Sequence, residues 1–185
     1  GQGGYGALVI RVKLDVNQAA PQLTQVDRIW TQVPKFSGQG HYGHRIVFGL
    51  DAKLWISSGE RQQFDPAQDM QSNAGKIIRL NQDGSIPADN PFMNQGKIAQ
   101  QVWSLGHRNP LGMAFDPQGQ LWVIEMGPKG GDELNKISKA KNYGYPVVSN
   151  GDHYDGKPIP DHNTRPEFEA PVLDWTPVIS PSDLL

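Results

Sequence analysis

Two segments of this chain repeat at nearly one spacing, and that spacing limits the folds open to it. FGLDAKLWI, starting at Phe48, aligns without gaps on FDPQGQLWV, starting at Phe115, 67 positions later. Phe48 falls on Phe115, Leu54 on Leu121 and Trp55 on Trp122. A second pair, VIR at Val9–Arg11 and IIR at Ile77–Arg79, recurs at 68 positions. Each is a short run of β-branched and aromatic residues, the composition that fits a pleated, half-buried surface. Two β-hairpins can resemble each other by chance. Aromatic residues matched twice, with a second segment at almost the same period, argue instead for a repeated β unit.

The strand signals follow the repeat. Ala7–Leu14, Arg45–Phe48, Lys53–Ser57, Gly75–Leu80, Met113–Phe115 and Gln120–Glu125 read as strands. Gly49–Ala52, Asn81–Gly84 and Asp116–Gly119 read as the turns between or after them. Pro66–Met70 is one short helix candidate. The 21 Gly and 15 Pro suit many short strands joined by turns. Propeller blades typically run ~40–50 residues, so the longer period implies a four-stranded antiparallel blade with a loop inserted. Arg61–Ala74 and Pro87–Gln101 are those insertions. The expected fold is all-β: one partial β-propeller domain over residues 1–185, with about two and a half to three blades. Phe48 and Phe115 should be buried at equivalent positions, as should Leu54 and Leu121. Part of a ring leaves sheet edges open, so the expectation is a fragment of a longer chain or a self-associating one, a homo-oligomer.

Composition removes several functions. The net charge is −2, with neither a basic excess for nucleic acid nor a charged tail. There is no cysteine, which excludes disulfides, thiolate metal sites and cysteine nucleophiles, and is compatible with the periplasm. No apolar run reaches the ~18 residues of a membrane span. No leader is visible, although the opening Gly1–Gly6 does not look like a native start.

Three constellations offer chemistry. Gly40-His41-Tyr42-Gly43-His44-Arg45 precedes one strand, and Ser58-Gly59-Glu60 follows its hairpin partner. Hairpin geometry returns the second strand beside the first, so His41 and Glu60 can meet. A carboxylate fixes a histidine tautomer and makes it more basic, which suits a general base; two His and a Glu beside Gly-rich turns can equally brace loops. Leu105-Gly106-His107-Arg108-Asn109-Pro110 supplies a guanidinium fork and an amide, or else an arginine that ties loops together. Glu125-Met126-Gly127-Pro128 through Asp132-Glu133, followed by Asn142-Tyr143-Gly144-Tyr145-Pro146, sets backbone carbonyls of a Gly-Pro turn beside carboxylates. Such hard oxygen ligands suit Ca²⁺, though the spacing is not that of an EF-hand. A sharp solvated turn would look the same.

The stretches GKIIRLNQDGSIPADNPF, LGHRNPLGMAF and GPKGGDELNKI…KNYGYP, in this order, resemble the soluble PQQ-dependent glucose and aldose sugar dehydrogenases of the glucose/sorbosone dehydrogenase group. The likeness covers roughly residues 37–180. It implies a six-bladed propeller about twice this length, an aldose substrate, PQQ and Ca²⁺ as cofactors, an external electron acceptor and a periplasmic or secreted location. His41 matches the base that takes the anomeric hydroxyl proton, and Glu60 the carboxylate that braces it. Arg108 and Asn109 match PQQ contacts. The carbonyls of Gly127 and Pro128 match ligands of the calcium beside PQQ, and Glu133 and Tyr143 a second, structural calcium site. Gly40 stands where one branch has Asp, which points to the broader aldose type, and Asp183 stands where the family usually has Gly. The family's sugar-contacting Gln falls before residue 1, and its further Lys and Arg anchors for PQQ fall after Leu185. The resemblance therefore implies weak PQQ binding and little turnover by this chain alone. A calcium-bound propeller module without catalysis and a calcium-dependent sugar lactonase are the alternatives. A lactonase metal would need several side-chain ligands, whereas this chain offers backbone ligands and a His–Glu pair.

Overall fold

A computed structural model describes residues 3–185; Gly1 and Gln2, part of the opening glycine-rich run, lie outside them. The described residues form ten strands in three antiparallel sheets, with three short 3₁₀ turns and no α-helix. Strands β1 (Leu8–Asp15) and β2 (Gln22–Thr31) make a two-stranded ribbon. Strands β3 (Ile46–Phe48), β4 (Leu54–Ser58), β5 (Lys76–Leu80) and β6 (Val102–Leu105) follow one another across a four-stranded sheet. Strands β7 (Pro110–Phe115), β8 (Leu121–Glu125), β9 (Asp132–Lys136) and β10 (Leu173–Trp175) do the same in a second.

The repeat maps onto these sheets. The hairpin β3–β4 corresponds to β7–β8, each the first pair of its sheet. VIR lies in β1 and IIR in β5, so the ribbon matches the last two strands of the following sheet. Leu54 and Leu121 are both buried, at equivalent positions. Phe48 and Phe115 are not equivalent in burial, contrary to expectation. Phe115, at the end of edge strand β7, is partly covered and meets the Trp55 ring of the preceding sheet edge-on at 5.6 Å, whereas Phe48, at the end of the equivalent edge strand β3, is 61% exposed. An edge strand is packed by whatever lies beyond it, which the repeat does not specify. The helix candidate at Pro66–Met70 reduces to a 3₁₀ turn over Asp65–Ala67.

The core consists mainly of two layers on opposite faces of the middle sheet. Strand side chains alternate between faces. Leu54, Ile56, Ile78 and Leu80 pack toward the ribbon with its Trp30, while Trp55 and Ile77 pack toward Met113, Leu121 and Val123 of the second sheet. Every residue of β4 and β5 is consequently buried. The insertions 61–74 and 87–101 lie between β4 and β5 and between β5 and β6, outside the strands they interrupt.

Candidate functional site

The end of β4, the segment before β3 and the link between β6 and β7 converge at one end of the sheets. Glycine permits this. A Cβ on Gly59 would sit 2.2 Å from the His41 carbonyl oxygen, and one on Gly43 would sit 2.5 Å from that of Pro110. The Gly59 amide donates to the Gly43 carbonyl (3.0 Å), and the Glu60 amide to the Arg108 carbonyl (2.8 Å). Arg61, itself buried, fastens the His41 segment by donating to the carbonyls of Gly40 (3.0 Å), Gly38 (2.8 Å) and Tyr5 (3.1 Å).

His41 and Glu60 meet as hairpin geometry requires: His41 Nδ1 hydrogen-bonds Glu60 Oε1. Glu60 is fully buried and also accepts the amides of Gln62 (2.9 Å), Gln63 (2.5 Å) and Phe64 (2.6 Å). Burial alone would raise its pKa. The hydrogen bond from His41, the Phe64 and Gln63 amides and the charge on His41 outweigh burial and hold the carboxyl below its ordinary value. One carboxylate thus orients the histidine and winds the next residues around itself. Arg61, Gln62 and Phe64 all have positive φ (66°, 57° and 64°), as does His41 (49°). Strain of this kind in non-glycine residues persists only where surrounding contacts impose it, and it gathers at functional sites.

His41 opens on a cavity of about 360 Å³ that Gln62, Phe64, Arg108, Pro128, Tyr145 and Tyr154 also line. The Arg108 guanidinium is held within cation–π distance of the Tyr145 and Tyr154 rings (5.7 and 5.8 Å). Its Nη1 donates to the carbonyls of Met126 (2.9 Å) and Gly127 (2.6 Å). Asn109 is buried, and its Oδ1 accepts the Gly43 amide (2.9 Å). It thereby ties the histidine segment to the arginine segment rather than facing the cavity.

Comparison with known proteins places this geometry in a family. The family model described as "Glucose / Sorbosone dehydrogenase" matches residues 1–185. The chain belongs to the glucose/sorbosone dehydrogenase family. It is 40% identical over 182 residues to aldose sugar dehydrogenase YliI of Escherichia coli, covering 96% of this chain and 47% of that protein. It is 46% identical over 162 residues to an uncharacterized protein of Synechocystis, covering 80% of this chain and 39% of that one. Among solved structures, the soluble aldose sugar dehydrogenase of Escherichia coli superposes with a TM-score of 0.86 at 36% identity, over 98% of this chain and 53% of that one. A PQQ-bound aldose sugar dehydrogenase of Streptomyces coelicolor superposes with a TM-score of 0.75 at 34% identity, over 94% and 47%. The chain therefore spans about half the length of these relatives, or less.

A turn and a buried polar cluster of this glucose/sorbosone dehydrogenase chain present the oxygens and charges on which the family's groups would depend. The Gly127 carbonyl already faces a cation, the Arg108 guanidinium, and Pro128 adds a second oxygen-bearing residue to the same turn. Backbone oxygens are the hard donors Ca²⁺ takes, and this turn supplies two of the ~6–8 such an ion needs. Glu133 and Tyr143 are both buried but are joined only indirectly. Glu133 Oε2 accepts Asn135 Nδ2 (3.1 Å), which also reaches Glu125 Oε1 (2.9 Å). Glu125 Oε1 meets His107 Nδ1 (2.9 Å), and the His107 ring stacks on Tyr143 at 4.7 Å. Near Glu133, the buried Asn135 Oδ1 receives no hydrogen bond, and His162 Nε2 stands 3.5 Å from Glu133 Oε1 without bonding to it. Burial raises the Glu133 pKa, and the Glu125 charge adds to the rise against the opposing pull of His162. These oxygens fit a cation, yet no group of three His, Asp or Glu side chains converges for one among the described residues. For PQQ, one buried cation and three aromatic side chains line the cavity. They suit a planar anion, though Asp155 adds a carboxylate to the lining and no second Lys or Arg joins Arg108 there.

The buried His107–Glu125 pair carries no assigned role from sequence, although both residues sit inside the quoted motifs. Glu125 Oε2 accepts the Arg108 amide (2.7 Å), so the pair fixes the backbone from which Arg108 projects. Phe64, His153 and Tyr154 line the cavity from loops that bear no motif. Only Tyr145 had a signal, in the NYGYP run.

Proposed function

We propose that this chain carries part of the active site of a PQQ-dependent aldose sugar dehydrogenase, with His41 as general base. The observation that carries the reading is that His41, held by the buried Glu60, opens on the same cavity as Arg108 and Pro128. With Nδ1 occupied by Glu60, Nε2 is the nitrogen left to accept the proton of a sugar's C1 hydroxyl, and Glu60 stabilises the imidazolium that results. PQQ, when bound, supplies the two-electron acceptor for the C1 hydride. Arg108 presents fixed positive charge toward anionic groups in the cavity, and Asn109, whose Oδ1 holds the Gly43 amide, positions the His41 segment beside it. The carbonyls of Gly127 and Pro128 would hold Ca²⁺ there, and Glu133 with the Tyr143 backbone a second Ca²⁺. The three sheets are read as two and a half blades of a six-bladed propeller in a periplasmic or secreted enzyme that passes electrons to an external acceptor.

The backbone-carbonyl turn and the His–Glu pair favour oxidation over lactone hydrolysis. The test is a visible-absorption titration with PQQ and Ca²⁺, followed by a single addition of glucose. Bound PQQ should be reduced in one slow turnover. His41→Gln should still bind PQQ but reduce it at least ~100-fold more slowly, the usual worth of a positioned base. PQQ binding without any glucose-driven change in the wild-type chain would overturn the reading.

A further inference from the structure

We propose that Arg108 is an internal competitor of the divalent cation, holding the Gly127 carbonyl that Ca²⁺ would take. The inference rests on the reading that this turn receives Ca²⁺. Arg108 Nη1 is bonded to two successive carbonyls, those of Met126 (2.9 Å) and Gly127 (2.6 Å). A guanidinium so placed presents positive charge to the same oxygen lone pairs that a calcium ion needs at ~2.3–2.6 Å. One carbonyl cannot serve both at full strength, and two cations at that spacing repel.

The surroundings let the arginine leave. Its Nε is buried with no hydrogen-bond partner, so the guanidinium is satisfied along one edge only. One flanking ring, Tyr145, is buried, while the other, Tyr154, is 72% exposed and comes from the exposed hairpin Asp152–Lys157. Displaced from the turn, the guanidinium has the neighbouring 360 Å³ cavity to turn into, where a bound anion would satisfy it. Cation entry at the turn and anion capture by Arg108 would then favour each other, because each removes the other's competitor. The backbone of Arg108 need not move, since its amide stays on Glu125 Oε2.

The experiment is Ca²⁺ calorimetry without PQQ on the wild-type chain, Arg108→Gln and Lys129→Gln. Lys129 lies next to the same turn but donates to neither carbonyl, so it controls for loss of charge alone. Arg108→Gln should bind Ca²⁺ about tenfold more tightly at one site, a 1.4 kcal/mol gain, and Lys129→Gln less than about twofold. Equal gains in both variants, or none in Arg108→Gln while Ca²⁺ still binds, would overturn the competition and leave the calcium reading standing. No Ca²⁺ binding in any of the three chains would remove the calcium reading and the competition with it. If Arg108→Gln does not fold, ¹⁵N-arginine side-chain spectra of the wild type decide. The Arg108 guanidinium signals should shift as Ca²⁺ saturates the chain, and unmoved signals during measured binding would refute the proposal.

Discussion

The ribbon β1–β2 and the sheet β3–β6 are built from the same short motif and end in opposite environments. Val9, Ile10 and Arg11 in β1 correspond to Ile77, Ile78 and Arg79 in β5. Ile78 is fully buried, whereas Ile10 is 48% exposed. Arg79 is buried and binds Asp51 (2.7 Å) and Asp89 (2.8 Å) beside the Trp103 ring, whereas Arg11 makes one exposed ion pair with Asp27 (2.9 Å). The middle sheet has a neighbour on each face and the ribbon has one, through Trp30. Strand-forming sequence therefore sets local conformation, and the count of packed neighbours sets what each side chain contributes to stability.

The strongest test of this contrast compares truncations at matched positions. Ile78→Ala should cost about 3 kcal/mol, from lost transfer energy and an unfilled cavity. Ile10→Ala should cost less than about 1 kcal/mol, because half the side chain already meets solvent. Urea unfolding of both variants measures the difference, and equal losses would show that the ribbon's outer face is covered in solution. The arginines should differ less. Arg79→Gln removes a buried guanidinium from Asn90 and from the solvent-exposed Asp51 and Asp89 carboxylates, and should cost about 1.5 kcal/mol, mostly through lost hydrogen bonds and packing. Arg11→Gln, at an exposed pair, should cost about 0.3 kcal/mol and lose even that at high salt.

The same contrast explains which parts of the molecule were legible. β-branched, alternating runs announced β1, β3, β4, β5, β7 and β8 to within three residues of their observed starts. Strand β9 (DELNK) was missed because it is polar: Asp132, Glu133 and Asn135 are buried by hydrogen bonding rather than by hydrophobicity. Strand β10 (LDW) was missed because a charged residue breaks its three positions, and β2 (QLTQVDRIWT) and β6 (VWSL) were also missed, β2 because its polar residues obscure any alternation and β6 because it follows directly on the insertion 87–101. Hairpin logic found the His41–Glu60 contact, since both residues flank one β-turn-β unit. No local pattern could show that Arg108 lies on the Gly127 carbonyl, because that contact joins two loops 19 positions apart. Nor could a repeat show that Phe48 is bare while Phe115 meets Trp55, because burial belongs to the neighbouring sheet.

The connections at the strand ends extend the comparison to the loops. The loop after β1 is held by Asp15, a partly exposed residue whose carboxylate accepts the Asn17 amide (3.0 Å). The loop after β4 is wound on Glu60, which is buried and accepts three amides as well as His41. Asp15→Asn should change stability by less than about 0.5 kcal/mol. Glu60→Gln keeps the side-chain shape and one acceptor oxygen but turns an NH2 group toward two of the donors, so at pH 7 it should cost about 2 kcal/mol. The pH dependence identifies the source. The Glu60 carboxyl is more acidic folded than unfolded, as hydrogen bonds from His41 and the loop amides outweigh the effect of burial. Its contribution is therefore complete above the unfolded value of about 4.3 and disappears as pH falls through the lower, folded value. Melting temperatures of wild type and Glu60→Gln should stay separated from pH 7 down to about 4.3 and converge below it. A separation that persists unchanged to the lowest pH at which both chains fold would mean that shape, not the carboxylate charge, holds the loop that carries Phe64.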